Sequence, residues 1–106
     1  MRSSVNPLIE AVQQWGRDKG IDNPKNQLNK VIEEVGEIAH EITRDKIDNN
    51  PLLADALGDT MVTIIILADI CGYDFQDCLA AAYMEICNRK GHTVDGNFIK
   101  DANEDD

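Results

Sequence analysis

A chain of 106 residues is long enough for one modest core and too short for two. Its twenty acidic against ten basic side chains give a formal net charge of −10, which excludes non-specific attraction to nucleic acid or an anionic membrane. The longest uncharged apolar run, Thr60 to Ala68, falls far below the roughly 18–20 residues that span a bilayer, and MRSSVNPLIEAVQQW lacks the features of a secretory signal, so a cytoplasmic protein without a membrane segment is expected.

The three prolines each follow an asparagine, at Asn6-Pro7, Asn23-Pro24 and Asn50-Pro51. Asn caps helices through its side-chain oxygen and Pro suits the first helical position, so each pair predicts a helix start. The first helix is expected to carry Leu8, Ile9, Val12 and Trp15 inward and to stop near Gly20. The second shows one apolar stripe, Leu28, Val31, Val35, Ile38 and Ile42, running to about Thr43. The third begins after Pro51 and ends near Gly72; its run Met61 to Ala68 carries no charge and reads as buried on every side, at the centre of a bundle or in a subunit interface. The fourth is expected from Asp74 to Gly91, carrying Leu79, Tyr83, Ile86 and Cys87. Beyond it, Asp95-Gly96 between apolar residues predicts a short extended or hairpin-like appendage, and residues 101–106 a frayed acidic tail. The chain reads as a single all-α domain over 1–106: a four-helix bundle with that appendage. Cys71, Cys78 and Cys87 lack zinc or redox spacing and read as reduced core thiols.

Two acidic clusters carry the chemistry. Glu33, Glu34 and Glu37 lie in EEVGE, Asp55 and Asp59 in DALGD. At about 100° per residue, Glu34, Glu37 and Glu41 fall on one strip of the second helix, and Asp55 and Asp59 share a strip of the third. Antiparallel packing of these helices would gather Glu34, Glu37 and Asp59. Carboxylates bordering an apolar run are costly unless a cation neutralises them, and an oxygen-only set suits magnesium or manganese. EExxE alone occurs on many solvated helix faces; Asp59, which borders a run without a polar outer face, gives the pair of clusters its specificity. Lys30 is an ion-pair partner of Glu34 or a phosphate contact, and Arg89 and Lys90 favour a helix C-terminus by charge. Trp15 reads as core, His40 and His92 as surface residues, and Asp69 as a polar helix-end residue.

EEVGEI, then DALGDTMVTIIILA, then NRKGHTVDGNFIK resembles the MazG-like all-α nucleoside triphosphate pyrophosphohydrolases, and the similarity extends upstream through Gln14-Trp15, KGI and NPKNQLNKVIEE. The resemblance implies a magnesium-dependent enzyme, manganese being a substitute, that cleaves a nucleoside triphosphate between the α and β phosphates to a monophosphate and pyrophosphate. Its EExxE maps onto Glu33, Glu34 and Glu37, with Glu34 and Glu37 as metal ligands and Glu33 activating water or completing the metal shell. Its second motif, ExxD, supplies Asp59, but the glutamate position holds Ala56. Asp55, one turn from Asp59, is carried over as a partial substitute. Lys30, Arg89 and Lys90 would offset charge on the leaving pyrophosphate. Family members pair or form tetramers, so a homo-oligomer is expected, with nucleotide-pool housecleaning as its role. Two rival readings are a degenerate member that binds nucleotide and metal without turnover, and an acidic helical interaction module that mimics nucleic acid.

Overall fold

The computed structural model describes residues 6–44 and 47–101, which fall into two compact units divided between Gln76 and Asp77. Among the described residues there are four helices, α1 (Pro7–Asp18), α2 (Pro24–Thr43), α3 (Pro51–Ile70) and α4 (Phe75–Ile86), followed by strands β1 (Gly91–Val94) and β2 (Asn97–Lys100). The expected all-α architecture with an extended C-terminal appendage is present.

All three Asn-Pro pairs start helices. Leu8 and Ile9 donate their N–H groups to Asn6 Oδ1, Asn26 donates to Asn23, and Leu52 and Leu53 donate to Asn50, at 2.9–3.2 Å. Each cap satisfies helix N–H groups that have no carbonyl within the helix, and the proline after it has none to satisfy. The predicted stops also hold for α1 and α3. Gly20 and Gly72 turn to φ of 73° and 88°, so that Ile21 N–H reaches Gly16 O (3.0 Å) and Tyr73 N–H reaches Ala68 O (2.9 Å). This left-handed cap closes the last carbonyls at little cost only where Cβ is missing.

In the first unit α3 is the helix against which both α1 and α2 pack. Gln27 Nε2 donates to Thr63 O (3.1 Å) and Asn50 Nδ2 to Glu41 Oε1 (2.9 Å), so α2 and α3 run antiparallel as a helical hairpin. Gly16 lies where a Cβ would stand 3.2 Å from Ile66 Cγ1, which brings α1 close to α3. Beside it, Arg17 grips Asp69 with Nε and Nη2 (2.9 and 2.6 Å). Those hydrogen bonds, and then the charge attraction, raise the guanidinium pKa above its ordinary value. Asp69, expected as a plain helix-end residue, is thus the anchor of α1.

Among the described residues, the buried apolar ones are Leu53, Ala56, Ile65 and Ile66, joined by polar Gln13, Gln27, Glu41 and Thr60. Fully burying each larger aliphatic is worth about 1.5–3 kcal/mol, so this is a small core. Several expectations change here. Trp15 is half exposed with Lys19 Nζ over its ring (6.0 Å), because α1 turns Gln13 and Gly16, not the indole, toward its neighbours. Leu28, Val35 and Ile42 of the α2 stripe are also nearly half exposed. In the run Met61 to Ala68 only Ile65 and Ile66 are buried. By length and composition α3 is apolar enough to cross a membrane, contrary to the estimate from its uncharged run alone; here it instead serves as the packing partner of α1 and α2, with Asp69 held in an ion pair.

In the second unit the helix ends at Ile86, short of Gly91, which instead opens β1 at a place where a Cβ would collide with the Ile99 carbonyl oxygen. β1 and β2 pair antiparallel, His92 opposite Ile99, around Asp95-Gly96 at φ of 51° and 78°. Positive φ at both central residues matches the right-handed twist of a two-residue hairpin. Asp101 donates its N–H to Lys90 O (3.0 Å) and pairs with His92 Nδ1 (3.8 Å), while the rest of the expected tail, 102–106, lies outside the described residues. All three cysteines are exposed, not core thiols. Cys78 and Cys87 lie on or just after α4, none of whose residues is buried in the single chain.

Candidate active site

The α2/α3 hairpin opens a cleft of about 490 Å³ whose walls carry Glu34 and Glu37 from α2 and Asp55 and Asp59 from α3. The helical repeat explains the convergence. Glu34, Glu37 and Glu41 recur at three- and four-residue steps down one strip of α2, Asp55 and Asp59 are one turn apart on α3, and antiparallel packing sets the strips side by side. Glu34 is half-buried, whereas Glu37, Asp55 and Asp59 are exposed, so these anions keep most of their hydration. Ala56, at the position of the missing glutamate, lines the same cleft but is only 4% exposed. A longer side chain there would have to thread out between the helices; Asp55, one residue earlier, already reaches the cleft.

The remaining predicted site residues lie elsewhere. Glu33 does not line the cleft; its carboxylate pairs with Lys30 Nζ at 3.7 Å, both side chains being 64% exposed. Lys30 thus meets Glu33 at i, i+3 instead of Glu34 at i, i+4, and borders a separate hollow beside the α1–α2 turn with Asn26 and Gln27. Arg89 and Lys90 belong to the second unit, where Arg89 Nη2 pairs with Glu85 Oε1 (3.5 Å).

Three cleft residues were not singled out from sequence as site groups: His40, Glu41 and Arg44. Glu41 is 5% exposed, its oxygens held by Asn50 Nδ2 (2.9 Å) and Arg44 Nη1 (3.5 Å). Its place on the Glu34–Glu37 strip was readable, but its burial depends on Asn50 returning from the far side of the loop. Four carboxylates from two helices line the cleft with hard oxygen donors, the chemistry that suits magnesium or manganese. As the side chains stand, no three His, Cys, Asp or Glu groups among the described residues converge closely enough to hold an ion.

Residues 22–94 match the sequence model of the MazG nucleotide pyrophosphohydrolase domain. The chain belongs to the MazG family. The match includes α2, α3, both acidic clusters and β1, and therefore the whole cleft. At family level the MazG domain is a pyrophosphohydrolase, generally dependent on a divalent metal. The MazG domain is also similar to an uncharacterized 18.2 kDa protein of the rep-hol intergenic region of Haemophilus phage HP1, 30% identical over 69 residues. That alignment covers 62% of this chain and 40% of the phage protein, so the chain spans about two fifths of that relative's length.

Proposed function

We propose that this MazG domain is a magnesium-dependent nucleoside triphosphate pyrophosphohydrolase, cleaving between the α and β phosphates to release a nucleoside monophosphate and pyrophosphate, in nucleotide-pool housecleaning. The observation that carries the reading is that Glu34, Glu37, Asp55 and Asp59 line one cleft in a chain of this family. The donor chemistry fits magnesium, which when bound would neutralise the triphosphate and polarise the α-phosphorus. Glu34, Glu37 and Asp59 would hold it, with Asp55 serving in place of the glutamate absent at position 56. Glu33 is assigned to activating water or completing the shell, a role for which it must leave Lys30. Lys30, Arg89 and Lys90, offered by the resemblance as contacts for the leaving pyrophosphate, do not line this cleft.

The test is an assay of the purified protein on a panel of ribo- and deoxyribonucleoside triphosphates. Release of pyrophosphate, not orthophosphate, is expected, and complete loss with a chelator. Turnover indifferent to chelation overturns the mechanism. Nucleotide-dependent thermal stabilisation without product identifies a member that binds but does not hydrolyse. Tight, salt-sensitive binding to a basic protein without nucleotide turnover favours the interaction module.

We also propose that the chain works as a homo-oligomer. Leu28, Ile32 and Val35 line one strip of α2, and Leu57 and Met61 one strip of α3, each residue 45–59% exposed. Helical arithmetic puts both strips on the side of the hairpin away from the carboxylates. Apolar strips of this extent on a core this small fit a second copy of the chain. Light scattering on the eluting peak is expected to give a dimer or tetramer, and Val35→Lys to shift it toward monomer; a wild-type monomer at micromolar concentration removes the assembly.

A further inference from the structure

The cleft presents a problem that its acids do not solve. A nucleoside triphosphate brings about four negative charges at neutral pH, and the four carboxylates lining the cleft bring more. Among the described residues lining the cleft, Arg44 is the one lysine or arginine. It caps the C-terminus of α2, on the same strip as Glu37 and Glu41 at steps of four and three, and so lies about 10 Å along the axis from Glu37. Its side chain is 44% exposed and meets Glu41 Oε2 through Nη1 at 3.5 Å, a distance beyond a good hydrogen bond.

Glu41 has its other oxygen satisfied by Asn50 at 2.9 Å and is almost wholly buried. It is therefore a poor ligand for anything in the cleft and a good tether. It holds the arginine at the rim by charge while leaving most of the five guanidinium N–H donors unused. The planar fork of those donors matches phosphate oxygens two at a time, which a lysine does not do.

We infer that Arg44 binds the terminal phosphates of the substrate and steadies the departing pyrophosphate, with Glu41 and Asn50 acting as positioning residues that hold it there. This rests on the pyrophosphohydrolase reading of the cleft. The carboxylates of Glu34, Glu37 and Asp59 then mark the end where the α-phosphorus is attacked, and Arg44 marks the end toward which the leaving group points. Arg44 contacts the leaving group and takes no proton.

The experiment compares wild type with Arg44→Gln and Arg44→Lys. It measures KM and kcat for one hydrolysed triphosphate, inhibition by added pyrophosphate, and binding of the matching nucleoside monophosphate by calorimetry, all in magnesium. Arg44→Gln is expected to raise KM and the pyrophosphate inhibition constant together by about 10- to 100-fold, the size of one or two charge-assisted hydrogen bonds, and to leave monophosphate affinity unchanged. Arg44→Lys should fall between. If Arg44→Gln fails to fold because Glu41 loses its cation, Glu41→Gln with Arg44→Gln removes the buried charge as well and should show the same weakened pyrophosphate inhibition. Unchanged pyrophosphate inhibition in a folded variant overturns the role of Arg44 while the enzyme reading stands, as does equal weakening of monophosphate and pyrophosphate. A wild-type protein that neither hydrolyses triphosphates nor binds them overturns both.

Discussion

Glu37→Gln and Asp59→Asn are each expected to bring pyrophosphate release down by at least about 10²-fold while the helical circular dichroism and melting temperature hold or rise slightly. The two halves of that outcome come from one arrangement. Both side chains are exposed, so neither substitution opens a cavity or strands a buried group, and exposed changes of this kind stay within about 0.5 kcal/mol. Both also remove one negative charge from a cleft that holds several, which relieves repulsion. A group that weakens the fold slightly and is kept for chemistry gives that signature: activity lost, stability unharmed. Glu10→Gln, on an exposed position of α1, serves as the control and should change neither quantity. Rates unchanged in Glu37→Gln or Asp59→Asn would take the substituted residue out of the site.

The largest stability effect is expected at Asn50. Its Oδ1 accepts the N–H groups of Leu52 and Leu53, which starts α3, while its Nδ2 donates to buried Glu41. Asn50→Asp retains the cap and inverts the other half, setting a second carboxylate against Glu41, whose described cationic partner is Arg44 at 3.5 Å. We expect a loss of about 2–4 kcal/mol at pH 7, or a melting temperature lower by 10 °C or more. Asn50→Ser retains a capping oxygen and adds no charge, and should cost about 1–2 kcal/mol. The pH dependence separates the two. Confronted carboxyls bind a proton more tightly folded than unfolded, so the penalty in Asn50→Asp is full at neutral pH and fades as pH falls through the carboxylate range, about pH 4. A deficit in Asn50→Asp no larger than in Asn50→Ser, flat with pH in thermal melts from pH 4 to 8, would show that Glu41 does not depend on this amide.

Much of the fold was legible because its signals are local. An asparagine followed by proline satisfies helix N–H groups within three residues, a glycine two residues past the helix end closes the last turn, and Asp-Gly dictates its own φ angles. That Glu34, Glu37, Asp55 and Asp59 line one cleft follows from the helical repeat and an antiparallel turn alone. What escaped was whatever depends on a distant partner. The burial of Gln27 and Glu41 rests on Thr63 O, which accepts from the one, and Asn50 Nδ2, which donates to the other. Trp15 carries the apolar weight of a core residue, yet the space beside Ile66 goes to Gly16. Glu33 and Glu34 are neighbours in sequence and 100° apart in space, which is enough to send one to Lys30 and the other to the cleft. Arg44, a cation at the C-cap of α2, also answers the helix dipole, so its place in the sequence does not by itself mark a site group.

The two amides that pin α2 to α3 sit at opposite ends of the hairpin, Gln27 on the Thr63 carbonyl and Asn50 on Glu41. A slide of one helical turn between the helices would break both at once, and would carry Asp59 past Glu37 by about 5.4 Å. Axial alignment of the acids is thus written in two directional bonds spaced along the hairpin.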